Sequence, residues 1–258
     1  MSAIHPTALV DPRARLAPGV GVGPYTVIDG DVEIGAGTSI GAHCVVTGHT
    51  TIGRENRVFH FCSIGEANQD KKYGGEPTRL SIGDRNTIRE YCSLHRGTVQ
   101  GGGITSVGHD NWIMAYCHIA HDCHVGDHAV FANNATLAGH VTVGDHAVLG
   151  GFTGVHQFVK IGAHVMAGVS SVVLQDIPPY VTVAGHPCAP HGINGEGLRR
   201  RGFTPDSIAA LKRAYKTLYK SGLGLAEAKA ELERQARDAP EVGAIVAFLA
   251  TATRGIVR

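Results

Sequence analysis

Aromatic side chains make up only 6% of this 258-residue chain, which holds one Trp and three Met. Cores of packed helices, or of helices on a sheet, take much of their volume from large side chains, so the interior must be built another way. Long apolar runs are missing too. No stretch approaches the roughly 20 residues that span a bilayer, and MSAIHPTALV has neither the basic start nor the apolar stretch of a secretory leader. These absences predict a cytoplasmic protein with no stable membrane insertion. Nor is there an excess of one charge: 23 Lys and Arg stand against 22 Asp and Glu, so nothing global points to a nucleic-acid partner. What the chain has in quantity is Gly, with 35 residues.

An aliphatic residue returns every sixth position from Ile4 to Ile64, again at Ile82, Ile88 and Leu94, and, after a slip of one residue, from Val107 to Val173. Of these 26 positions 24 are Ile, Leu or Val, which excludes chance. Gly commonly follows the aliphatic residue, as in IGAGTS and VGDHAV, and is expected to permit a turn. A hexad of this kind is a short strand plus a bend. It cannot bury its apolar side chain alone, so hexads must wind into a solenoid with the aliphatic residues stacked inside and parallel strands pairing between coils. The pattern resembles the hexapeptide-repeat proteins, and that resemblance implies three hexads per coil and a left-handed parallel β-helix. Cys44, Cys62, Cys92, Cys117 and Cys123 each fall four residues after an aliphatic position, which reads as compact buried filler with free thiols.

The stretch HIAHDCHVGDHAV, residues 118 to 130, has the density of a zinc site. Hexad register argues against one within the chain. His118 and His124 occupy one slot on two different sides of a three-sided coil and point apart. His121, His140 and His156 lie on hexads 18 residues apart and are expected to stack on one face, in a column that does not converge. His43, His49, His60, His128, His146 and His164 show no comparable partner and read as surface residues. Extra residues at 68–79 (NQDKKYGGEPTR) and 97–103 (GTVQGGG) interrupt the repeat and are expected as loops, the second nearly all flexible.

Beyond residue 190 the period becomes helical. Thr204 and Pro205 read as an N-cap with proline at the first helical position, followed by an apolar stripe of Ile208, Leu211, Tyr215, Leu218 and Tyr219. A second helix is predicted over 226–236 and a third after Pro240. Residues 1–190 therefore form a β-helix domain and 191–258 a small α-helical domain, whose basic residues, Arg199 to Lys220, are either a solvated face or a dock for an acidic partner.

The segments YGGEPTRLSIGDRNTIRE, HIAHDCHVG, ANNATLAGHVTVGD, GGFTGVHQFVKIGAHVM and EGLRRRGF resemble the acyl carrier protein:UDP-N-acetylglucosamine O-acyltransferases, which begin lipid A synthesis. The resemblance covers nearly the whole chain. It implies transfer of an (R)-3-hydroxyacyl group, carried on the phosphopantetheine of acyl carrier protein, to the 3-hydroxyl of UDP-N-acetylglucosamine, without metal or bound cofactor. Under it His121 is the general base, an assignment that suits imidazole chemistry, Asp122 orients its ring and the Gly139 N–H supplies an oxyanion donor. Adjacent residues on a strand point apart, which counts against the Asp122 role. Asp70, Lys72, His118, His140, His156 and Gln157 would contact substrate, while Asn194, Glu196, Arg200 and Arg201 would lie on the nucleotide side.

Two other readings stay open: acyl transfer to a 3-amino UDP-sugar, and a zinc-dependent gamma-class carbonic anhydrase. A catalytic column on one face needs a second wall, which predicts a homotrimer with sites in its clefts. Val169, just under three coils beyond His121 and about 13 Å along the axis, is expected in the same groove at the end of an acyl chain of about 10 to 12 carbons.

Overall fold

The computed structural model describes residues 3–258; Met1 and Ser2, where the expected first domain begins, lie outside the described residues. The repeat builds a parallel β-helix. Its strands form three sheets of eleven, nine and eight members, starting at Ala3–Ile4, Leu9–Val10 and Arg15–Leu16 respectively. We call them the first, second and third sheets. The chain visits them in turn, and pairing between coils is parallel and in register, as in His118↔Thr136 and Ile119↔Leu137. The inward aliphatic residues from Val22 to Val173 are all buried. Phe131 is the one aromatic in their stack, at 0% exposure. All six cysteines are buried and free.

Each coil turns its corners at a residue that was not the one expected. Except at Gly65 (φ 77°), the glycine directly after the aliphatic residue does not carry the left-handed conformation. It is there because the next coil passes too close for a side chain: a Cβ on Gly144 would lie 2.6 Å from the Ala163 nitrogen. The positive φ falls two residues later, on 18 non-glycine residues that include Asp122 (φ 59°), His140 (63°) and Phe158 (66°). Side chains at this position stack from coil to coil. At the corner between the first and second sheets the ladder runs Tyr25, His43, Phe61, Tyr91, Tyr116, with ring centroids 4.8 to 5.2 Å apart. At the corner between the third and first it runs His128, His146, His164, Tyr180. The expectation that His43, His128, His146 and His164 lack register partners is therefore wrong, because all four occupy the turn position.

Four helices follow: α1 (Gly195–Arg200), α2 (Pro205–Tyr219), α3 (Leu225–Asp238) and α4 (Gly243–Thr251). The Thr204 hydroxyl caps α2 by accepting from the Ser207 N–H. Leu211, Ala214, Leu218, Ala228, Leu232 and Ile245 close a second core. The expected division at 190/191 falls inside an antiparallel hairpin, Val181–Gly185 with Cys188–Ile193. The tail also returns to the helix: Val257 donates to the carbonyl of buried Asp176, whose side chain accepts from Thr253 at 3.1 Å.

Candidate active site

The corner between the second and third sheets carries the densest chemistry. Ile119 ends a strand of the second sheet, His124 begins one of the third, and His121 and Asp122 form the turn between them. Since Asp122 is left-handed, the chain reverses there instead of alternating. Its side chain therefore comes round beside that of its neighbour, against the expectation that adjacent residues point apart. His121 Nδ1 lies 2.8 Å from Asp122 Oδ2. A carboxylate only accepts, so Nδ1 carries the proton and Nε2 keeps a lone pair. The Asp122 carboxyl is 1% exposed and the His121 ring 16%.

Buried carboxylates need donors, and the 97–103 loop provides them. Thr98 gives Asp122 two hydrogen bonds of 2.7 Å, from its N–H to Oδ1 and from its hydroxyl to Oδ2. Asp122 N–H donates to Thr105 Oγ1 at 2.8 Å. The expectation of a nearly free loop is thus corrected: Val99–Gly101 forms a 3-10 turn and Thr98 is 2% exposed.

His140 stands edge-on to His121, centroids 5.0 Å apart, with Nε2 3.6 Å from Asp122 Oδ2, beyond hydrogen-bond range. Its other face stacks on Phe158 at 4.4 Å. Burial lowers the proton affinity of His140, against the pull of Asp122. The expected column of His121, His140 and His156 is corrected by this geometry. Asp122, His140 and Phe158 share one turn position, His121 aligns with Gly139 and Gln157, and exposed His156 turns its Nδ1 to the Gln157 carbonyl at 3.2 Å. His118 is held by Ser93 Oγ at 2.8 Å and lies edge-on to buried His95; burial pushes its pKa down to about 4. Gly139 passes so close beneath His121 that a Cβ would sit 2.7 Å from Nε2. No backbone carbonyl among the described residues accepts from its N–H.

Asp70 caps its own turn, accepting from the Lys72 N–H at 3.0 Å, and its carboxylate lies near enough to His140 to favour the protonated ring. Lys72 and Gln157 are exposed, Gln157 directly before Phe158 at this corner. The remaining expected site residues lie elsewhere on the prism. Val169, 71% exposed, is at the corner between the first and second sheets, so it does not share a groove with His121 in one chain. Eight hexads are two coils plus two sides, and the two sides move it round the prism. Asn194 caps α1 and donates to the His164 carbonyl at 3.0 Å, at the corner between the third and first sheets. Glu196 is paired there with Arg199 and Arg200, and Arg201 donates to the Gly197 carbonyl.

His121, Asp122 and His140 place their donor atoms within 4.8 Å of one another, as a metal site would need. Both oxygens of Asp122 are already engaged by Thr98, however, and Oδ2 also by His121. The arrangement is that of a base oriented by a carboxylate. Sequence reading missed Thr98, Thr105, Phe158 and His95. Stepping by 18 from Asp122 would have found His140 and Phe158, whereas nothing local marks Thr98.

Comparison with known proteins identifies the family. The family described as Udp N-acetylglucosamine O-acyltransferase, Domain 2, matches residues 176–257, and the hexapeptide transferase repeat matches residues 13–48 and 104–139. The chain is 65% identical over 258 residues to the acyl-[acyl-carrier-protein]–UDP-N-acetylglucosamine O-acyltransferase of Thiobacillus denitrificans, covering all of both chains. Among solved structures it is similar to the Francisella novicida UDP-N-acetylglucosamine acyltransferase, at 40% identity and TM-score 0.97 over 99% of this chain and 94% of that one. The Arabidopsis UDP-N-acetylglucosamine acyltransferase gives 38%, 0.84, 99% and 100%.

Proposed function

Because this chain belongs to the acyl-[acyl-carrier-protein]–UDP-N-acetylglucosamine O-acyltransferases, we propose that it moves an (R)-3-hydroxyacyl group from acyl carrier protein to the 3-hydroxyl of UDP-N-acetylglucosamine, opening lipid A synthesis. The observation that carries the mechanism is the His121 to Asp122 contact of 2.8 Å on a carboxylate that is itself buried and hydrogen-bonded. With its Nδ1 proton held by Asp122, His121 presents a basic Nε2. It removes the sugar hydroxyl proton as the oxygen attacks the thioester carbon. The Gly139 N–H receives the developing oxyanion, the carbon–sulfur bond then breaks, and the His121 proton passes to the leaving thiolate of phosphopantetheine. His140, kept neutral by burial, can donate to substrate without competing for Asp122.

Substrate binding draws on three corners that one chain holds apart. His121 lies at the second, Val169 at the first, and Asn194, Glu196, Arg200 and Arg201 at the third. A site using all of them needs neighbouring copies side by side, which supports a homotrimer with the acyl chain and nucleotide in its clefts. Light scattering at assay concentration is expected to give three chain masses, and full activity in a monomer would overturn this assembly. The reaction is tested by incubating the protein with a 3-hydroxyacyl carrier protein and UDP-N-acetylglucosamine, then weighing the product by mass spectrometry. One acyl group added to the sugar nucleotide is expected. Acylation only of a 3-amino UDP-sugar supplied in parallel would change the acceptor.

A further inference from the structure

We propose that Thr98 is a positioning residue for the reaction, and that the 97–103 loop fixes the Asp122 carboxylate through it so that His121 stays aimed and basic. This rests on the reading of His121 as the base.

The hydroxyl of Thr98 has little freedom. It accepts from the Gly101 N–H at 3.1 Å, which closes the 3-10 turn, so its own proton is directed at Asp122 Oδ2, 2.7 Å away. The Thr98 carbonyl is engaged as well, accepting from Gly103 at 2.8 Å, and Asn68 Nδ2 ties the loop down by donating to the Gly97 carbonyl at 2.9 Å. Two glycines of this loop, Gly97 and Gly101, are places where the carboxylate comes too near for a side chain. A Cβ on Gly97 would lie 2.8 Å from Asp122 Oδ1, and one on Gly101 would fall on the carboxyl group itself.

The titratable groups around this pair are His140 against Asp122, His95 and His118 near His121, and Asp70 and His124 near His140. Burial disfavours the charged forms of His95, His118 and His140. Donors to the carboxylate favour the pair without its extra proton. Removing one destabilises that state and moves the acid limb of a pH–rate profile to higher pH.

The test compares Thr98→Val, Thr98→Ser and Gly101→Ala in the full chain, with kcat and KM for both substrates followed from about pH 5 to 9. Thr98→Val keeps the backbone donor and loses the hydroxyl. It is expected to lower kcat about tenfold at neutral pH with KM unchanged and to move the acid limb of the profile to higher pH. Thr98→Ser is expected to behave as wild type. Gly101→Ala keeps Thr98 and presses on the carboxylate, so the same limb should move even if Thr98→Val does not fold. A wild-type kcat and pH profile in Thr98→Val, or in Gly101→Ala if Thr98→Val fails to fold, overturns the proposal. If His121→Ala is inactive while Thr98→Val is normal, only the role of Thr98 falls; if His121→Ala keeps its turnover, the base assignment falls with it.

Discussion

Two corners of the prism carry histidine at the left-handed turn position, and they differ in what stands beside it. Between the third and first sheets, His128, His146 and His164 stack face to face with centroids 4.7 and 4.8 Å apart, then meet Tyr180. Among the described residues none of the three hydrogen-bonds to a carboxylate. Between the second and third sheets the turn position is Asp122, then His140, then Phe158, and His121 precedes it. That substitution of a carboxylate for one ring, together with an inserted loop to bury it, turns an aromatic ladder into an oriented base. In this chain one histidine column is only a stack of rings; the proposed chemistry lies where a carboxylate takes the turn position.

The sharpest way to break this comparison is to remove one ring from each corner. His121→Ala is expected to lower kcat by about 10² to 10⁴ with folding intact, since its ring fills no internal space. His128→Ala, on an exposed ring, should leave kcat unchanged and alter stability by no more than about 0.5 kcal/mol. Steady-state rates and thermal melts on both variants decide it, and equal losses at the two corners would remove the distinction.

A second contrast concerns Val169, at a corner without histidines. If neighbouring copies bring it to the acyl chain, kcat/KM across carrier-bound chains should shift toward longer acyl groups in Val169→Gly and shorter ones in Val169→Met, since close-packed contacts respond to single methylenes. An unchanged preference in both variants retires the residue as the end of the groove.

The smallest effect is on acid stability. Burial pushes His118, in the catalytic corner, and His164, in the other, down to about 4 from an ordinary 6.5. Between these values the unfolded chain binds protons that the native state does not, so stability is full above about 6.5 and falls as the pH drops toward 4. Melting temperatures across that window should decline. His164→Phe, which keeps the stack with Tyr180 and removes the titrating group, should flatten the decline without abolishing it. A slope identical to wild type would mean that His164 contributes nothing.

The sequence by itself determined the solenoid, the inward aliphatic stack and the start of α2 at Thr204, because each depends on a conformation repeated or capped within a few residues. It also marked the HIAHDCHVGDHAV stretch as chemically dense, while the choice of His121 within it came from the family resemblance. Only the tertiary structure decided what surrounds that histidine. The left-handed turn put Asp122 beside His121 where alternation would have separated them. Phe158 and not His156 continues the column, because the stack runs through the left-handed turn position shared by Asp122, His140 and Phe158, and Thr98 reached Asp122 across 24 residues. Val169 was sent to another corner by the two extra sides in its eight hexads, and Arg201 by the hairpin and α1 that follow the last coil. Contacts of this kind are set by how the coils close on one another, and a repeat of six residues is the same on every side of the prism.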